Sequence, residues 1–276
     1  MLAAALTVGT LLAQNTLLEA NFNDGSKTGW LNSSGSGGVS VDGANRLSIT
    51  AGRHALTYFP QTGAQSVTAS FDLSFTQVGT NNGGFRVGLF NSQGNLALDR
   101  SNTGFSGYKG YVFTWNPNPG SDASNGLRLL ARTSGNLDSL ISTTSTTSNT
   151  SYSEAGSGGG PSGQIFQTNT TYRVSYTINR GAGDELAFAL SVTGGTMSFA
   201  NSFNVSIPVT STFDSFALYS VNNTEANPTL GSNFEIDNVL ITAVPEPSTY
   251  AAVAGAAVLG LAFWRRRRAA AKALAA

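Results

Sequence analysis

Residues 67–75 read VTASFDLSF. Val67, Ala69, Phe71, Leu73 and Phe75 alternate with Thr68, Ser70, Asp72 and Ser74. A β-strand points successive side chains to opposite sides, so this stretch has one apolar and one polar face. Two later stretches repeat the pattern. Tyr172, Val174, Tyr176 and Ile178 alternate with Arg173, Ser175 and Thr177, and Leu186, Phe188, Leu190 and Val192 form another set. Each reads as a strand with one side buried. Further strands are expected at 16–22, 46–50, 55–59, 85–90, 108–115, 127–133, 213–221 and 233–242. Turn-forming runs separate them, among them GTNNGG, NPNPGSDASNG, NRGAGDE and VNNTEANP, where Gly, Asn and Pro supply special backbone angles. Up to residue 243 no helical periodicity runs beyond two turns. Some eleven short strands at this spacing predict an all-β chain, an antiparallel sandwich or barrel.

Composition narrows the function classes. The chain has 276 residues, no cysteine and one histidine. Disulfides, thiolate metal sites and cysteine nucleophiles are therefore excluded, as is a zinc site with several imidazoles. The single histidine, His54, lies in the strand-like run RHALTYF and is expected to be a half-exposed strand residue. Residues 1–13, MLAAALTVGTLLA, look like the apolar core of a signal peptide, with small residues near Ala13 for a signal peptidase. A positive n-region is missing, so either the true start lies upstream or a few residues were trimmed. Residues 14–243 are then the mature body, enough for one large all-β domain. Of the 15 basic and 15 acidic residues, five basic (four arginines and Lys272) and one acidic (Glu246) lie beyond it, so the body carries ten against 14, or about −4. No basic face for nucleic acid is expected. The stretch 138–171 is low in complexity and reads as a long surface loop or ragged hairpin.

The C-terminal segment begins VPEPSTYAAVAGAAVLGLAFWRRRR at Val244. Pro245, Glu246 and Pro247 keep the junction extended. The 17 residues from Ser248 to Trp264 carry no charge. As a helix they would span about 25 Å, the short end of what crosses a bilayer. Arg265, Arg266, Arg267 and Arg268 would hold the far end in the cytoplasm. This order of parts resembles the PEP-CTERM sorting signal of exported bacterial proteins. The resemblance covers residues 244–268 and leaves 269–276 as a cytoplasmic tail. It implies export through the secretion machinery and a transient stay in the inner membrane on a single transmembrane helix. It also implies cutting by an exosortase-type membrane transpeptidase, followed by residence at the cell surface or in an extracellular matrix rich in exopolysaccharide. A plain tail anchor is the alternative.

The body resembles concanavalin A-like jelly rolls, including laminin-G-like sugar-binding domains. The resemblance rests on LLEANFNDGSKTGW from Leu17, GFRVGLFN from Gly84, TYRVSYTINRGAGDELAFALSVTGG from Thr171 and NFEIDNVLIT from Asn233. It implies a two-sheet jelly-roll sandwich whose first and last strands lie side by side.

Four readings of possible chemistry follow. FEIDN, from Phe234, begins like the catalytic strand of laminarinase-type hydrolases, but Val239 and Leu240 stand where the second glutamate belongs, so no such site is expected. Asn23, Asp24 and Asp237 would be neighbours if the end strands pair, and their oxygens suit a structural calcium. Tyr108, Tyr111, Phe113 and Trp115 are either core filling or a sugar-stacking platform, with Trp115 and Tyr111 as the carbohydrate-binding candidates. GSGGG at 156–160 is followed by Pro161, which excludes a phosphate loop. The expectation is a non-catalytic exported protein that binds or structures exopolysaccharide. The alternatives are a matrix glycan hydrolase, which needs two carboxylates in one cleft, and a purely structural or adhesive surface protein.

Overall fold

The computed structural model describes residues 14–32, 38–78, 84–99, 104–115, 127–133, 140–141, 151–158, 165–220, 233–245, 255 and 258–266. The signal-peptide stretch 1–13, Glu246, Pro247, Arg267, Arg268 and the tail 269–276 lie outside them. The described residues form fifteen strands in two antiparallel sheets. Sheet A holds β1 (Asn15–Ala20), β3 (Val39–Val41), β4 (Leu47–Ile49), β6 (Ser66–Gln77), β11 (Thr171–Arg180), β12 (Leu186–Gly194), β13 (Met197–Val205) and β15 (Asn233–Val244). Sheet B holds β2 (Trp30–Asn32), β5 (His54–Thr62), β7 (Phe85–Asn91), β8 (Lys109–Trp115), β9 (Arg128–Arg132), β10 (Tyr152–Ser157) and β14 (Phe213–Ser220). The order in A is β13-β12-β11-β6-β15-β4-β3, with β1 also on β15; in B it is β10-β9-β8-β7-β14-β5-β2.

The alternating residues of 67–75 form the middle of β6, and their apolar set is buried in the main core together with Tyr176, Phe188 and Leu190. Facing them from sheet B are Phe85, Val87, Tyr111, Phe113, Trp115, Phe216 and Leu218. Rings meet edge to face through this layer, as in Phe85–Phe234 at 4.9 Å and Phe113–Tyr176 at 4.9 Å between centroids.

β15 is central to sheet A. It pairs with β6 on one edge. On the other edge it pairs first with β4, at Ile236↔Leu47, and then with β1, at Val239↔Ala20. A bulge falls between Asp237 and Leu240, and Asn238 there has φ 48°. Asn tolerates this left-handed conformation better than most residues. Before the bulge Phe234 and Ile236 are buried; after it Val239, Ile241 and Ala243 are. The extra residue shifts the phase so that both halves keep their apolar side chains in the core. The predicted neighbourhood of first and last strands is present.

The outer face of sheet B is covered by a second core. Leu56, Phe90, Tyr108, Val112, Leu130 and Tyr152 pack there with Phe105, Leu140 and Ile141 from flanking segments. Arg132, fully buried, ties these segments down. It donates from Nε to the Tyr108 carbonyl (3.1 Å), from Nη1 to Leu140 (3.2 Å) and from Nη2 to Phe105 (2.9 Å).

Two expectations about segments change. Of the two readings of 138–171, the surface loop gives way to the hairpin: the stretch contributes the edge strand β10, paired antiparallel and irregularly with β9, and the buried side chains Leu140, Ile141 and Phe166. The expected transmembrane helix is described only in part: residues 258–266 are helical, and among the described residues no helix is long and apolar enough to cross a membrane.

Arg132→Leu should destabilise the fold by about 3–5 kcal/mol, because three buried carbonyls lose a charged donor. Urea denaturation of the body measures this; a loss within about 0.5 kcal/mol, typical of neutral surface changes, would show that Arg132 does not anchor the covering segments.

Candidate functional site

Among the described residues, no second core covers the outer face of sheet A. The polar partners in the alternation stand there: Thr68, Ser70, Asp72 and Ser74 on β6, and Arg173, Ser175 and Thr177 on β11. Cross-strand register sets them in rows. Ser70, Ser175, Ser191 and Ala200 align across β6, β11, β12 and β13, and Thr68, Thr177, Ala189 and Ser202 make the next row. Because these side chains are small, a trough of about 250 Å³ remains, lined by Ser175, Thr177, Ser191, Asn201 and Ser202 among others. Thr68 Oγ1 and Thr177 Oγ1 are 3.0 Å apart at its side.

One end of this face is charged. Arg46, Asp72, Glu235 and Asp237 line a cavity of about 150 Å³. Glu235 is buried and its Oε2 is 2.8 Å from Arg46 Nη1. Arg46 Nη2 also meets Asp42 Oδ2 at 3.1 Å. Asp72 stands opposite Asp237 on one side and Arg173 on the other. It accepts from Arg173 Nη1 (3.0 Å) and from Asn238 Nδ2 (2.8 Å). Arg173 Nη1 also reaches the Asn238 carbonyl (3.2 Å), and its Nη2 donates to Ser70 Oγ (2.8 Å). The Asp72–Arg173 pair thus clamps the bulge of β15.

Burial pushes the Glu235 carboxyl above its ordinary value, against the pull of Arg46, and Asp42 adds to the upward shift through a shared hydrogen bond. Burial likewise raises Asp237, with the nearby Asp72 charge helping. For Asp42 burial acts upward too, but backbone donors at Arg46 and Ala44 and the guanidinium outweigh it and hold the group low.

Several predicted site residues are placed differently. Trp115 and Tyr111 are not a sugar platform: both are fully buried on the inner face of β8. Trp115 packs on Phe85 (4.8 Å between centroids) and Phe166, and Tyr111 on Phe188 (4.5 Å). The Tyr111 hydroxyl accepts from Val209 N (2.8 Å), and burial raises its pKa to about 12. His54 is buried rather than half-exposed, edge-on to Tyr219 at 4.8 Å. The calcium trio is split. Asn23 and Asp24 line an open depression with Glu19 and Ser26, whereas Asp237 belongs to the Arg46 cavity. The Asp24 carboxylate accepts from Ser26 N (2.9 Å), as a turn residue does. No group of three or more His, Cys, Asp or Glu side chains suited to a metal occurs among the described residues. Asp237 therefore does not join Asn23 and Asp24 in one ligand set. The sequence reading did not bring together Asp72, Arg46, Glu235 and Asp237; the outward strand positions of Asp72, Glu235 and Asp237 were the available signal.

At the end of β15, Ala243 and Val244 are still paired with Val67 and Ser66, and Pro245 follows. Residues 243–268 match the family described as the PEP-CTERM protein-sorting motif. The chain ends in a PEP-CTERM sorting signal. Arg265 and Arg266 of that signal lie in the helix 258–266 and are exposed. No curated protein matches the chain. Among solved structures, the body is similar to the marine PL-14 alginate lyase from Aplysia kurodai, at 14% identity and TM-score 0.54, over 83% of this chain and 99% of that one. Also similar are the VIP36 exoplasmic/lumenal domain, crystallised with Ca2+ and Man3GlcNAc (9% identity, TM-score 0.49, 84% and 92% covered), and the metal-free Emp46p carbohydrate recognition domain (14%, 0.47, 83% and 98%). At these identities the likeness concerns the fold alone: the body is an all-β sandwich of two antiparallel sheets, as in the alginate lyase.

A raised carboxyl favours the folded state while protonated, so its contribution to stability is full below the unfolded value near 4.5 and declines as pH rises through the folded value. The stability of Glu235→Gln relative to the parent should therefore improve as pH rises from about 4 upward. Denaturation series across pH check this, and a constant difference would refute the burial of an ionising Glu235.

Proposed function

We propose that this is an exported, non-catalytic surface or matrix protein whose sandwich binds extended polysaccharide along the outer face of sheet A. The observation that carries the reading is the contrast between the two outer faces. Sheet B is covered by its second core, while sheet A presents rows of hydroxyl groups across β6, β11, β12 and β13. Such groups match the hydroxyl-rich edge of a sugar chain, and a shallow trough suits a chain lying across strands more than an enclosed small molecule. In this proposal the sorting signal supplies the route. The secretion machinery exports the chain, the tail holds it briefly in the inner membrane, and an exosortase-type transpeptidase releases it at the PEP motif to the surface or matrix.

A hydrolase is the second reading, favoured by one observation: Asp72, Glu235 and Asp237 share a cavity. Against it, Asp72 is held by Arg173 and Asn238 and Glu235 by Arg46, and about 150 Å³ is little room for a sugar ring. Asp99 and Asp214 stand apart, capping the backbone of Asn32 and Ser92.

Ser175→Arg, which fills the trough at a solvent-facing position, should abolish retardation of the body in affinity electrophoresis through acidic and neutral polysaccharides, with the melting temperature kept. Unaltered retardation would remove sheet A from the reading, and release of reducing or unsaturated ends by the parent but not by Glu235→Gln would favour the enzyme. Replacing Arg265–Arg268 with glutamine should leave the tail uncut in cells, seen as a larger, membrane-retained band; normal processing would contradict the sorting route.

A further inference from the structure

The two ends of the body leave it side by side. Asn15, at the start of β1, is paired with Ala243, and Val244 with Ser66 at the start of β6. Around this exit lies an open depression of about 320 Å³, lined by Asn15, Leu17, Gly63, Ala64, Ala243 and Pro245 among others, none of them charged. The segment 206–212 closes the same pole, since it leads into Phe213, which pairs with Thr62. A Cβ built on Gly63 would meet the Thr212 methyl at 3.2 Å. Ile207, in this segment, is 89% exposed, the most open of the exposed large apolar side chains among the described residues.

The tether beyond this pole is short. Residues 245–249, two of them proline, separate it from the apolar run that starts at Tyr250. Fully extended they reach roughly 15–17 Å. In the helix 258–266 the side chains of Val258, Leu259, Leu261 and Phe263 are all more than half exposed. At 100° per residue these positions point to several sides, and a helix apolar all round requires an apolar surrounding rather than one packed face.

We infer that the pole carrying Pro245, the uncharged depression and Ile207 rests on the phospholipid surface that receives the tail, with Ile207 dipping into it. The inference rests on the reading that the apolar tail enters a membrane. A tether of this length keeps the pole within the depth of the headgroup layer, so the body stands on the bilayer in one orientation rather than swinging freely. The open face of sheet A, parallel to the strands, then runs away from the membrane. The acidic Asp184 and Glu185 lie on the turn between β11 and β12 at this pole, which makes a zwitterionic lipid the suitable probe.

The chain has no cysteine, so single cysteines label cleanly. Three full-length variants carry an NBD fluorophore: Ile207→Cys, Val258→Cys as the tail reference, and Thr196→Cys on the β12–β13 turn at the opposite pole. Each is reconstituted into phosphatidylcholine vesicles containing nitroxide-labelled phosphatidylcholine. The expected result is loss of emission at 258 and 207 and none at 196. Quenching at 258 with 207 no more quenched than 196 would overturn the contact of the pole and leave the anchoring intact. No quenching at 258 would overturn the anchoring itself, and the pole inference with it.

Discussion

The fold depends on hydrogen bonding both edges of one strand, β15. A buried strand edge with unpaired amides and carbonyls is costly, and β15 is twelve residues long. β6 covers one edge. The other is shared by β4 and β1, which meet it end to end. The bulge at Asn238 sits at that handover and corrects the phase of the apolar side chains, and Arg173 and Asp72 hold it through the Asn238 carbonyl and amide. Three consequences follow from this strand. Sheet A is complete, the ends of the body are adjacent, and the sorting signal begins in the last pairs of the central sheet.

Much of this was legible in the alternation. A strand with one wet face carries a period of two, and 67–75, 172–178 and 186–192 proved to be the inner strands of sheet A. Trp30–Asn32 and Val39–Val41 are too short to show any period, and Tyr152–Ser157 carries one buried side chain, on the outer face of sheet B, in a polar background. Met197–Val205 does alternate, through Phe199 and Phe203, but its inward residues are interrupted by Asn201. The aromatic set on β8 was misread because a strand buried on both faces looks like a platform beside a polar loop. Val112 between Tyr111 and Phe113 was the sign of two-sided burial. His54 was misjudged for the same reason: β5 belongs to the doubly covered sheet.

The candidate site was less legible, since it is a matter of register. Asp72, Arg173, Glu235 and Asp237 come from three strands far apart in sequence, and only the pairing of β6 with β11 and β15 brings them together. The same pairing separates Asp237 from Asn23 and Asp24, because β1 meets β15 beyond the bulge while Asp237 lies before it. Charge at this end of the sheet is mostly spent on structure: Arg173 on the bulge, Arg46 on Glu235 and Asp42. What remains for a ligand is the small hydroxyl surface beside it.

The central claim is that this surface, and not the covered face of sheet B, receives the polysaccharide. Amide chemical shifts of the labelled body, followed while oligosaccharide fragments of a retarding polysaccharide are added, test it directly. The account predicts saturable shifts centred on Ser70, Ser175, Thr177, Ser191 and Ser202. Shifts confined to the segments over sheet B, around Phe105 and Leu140, would contradict it.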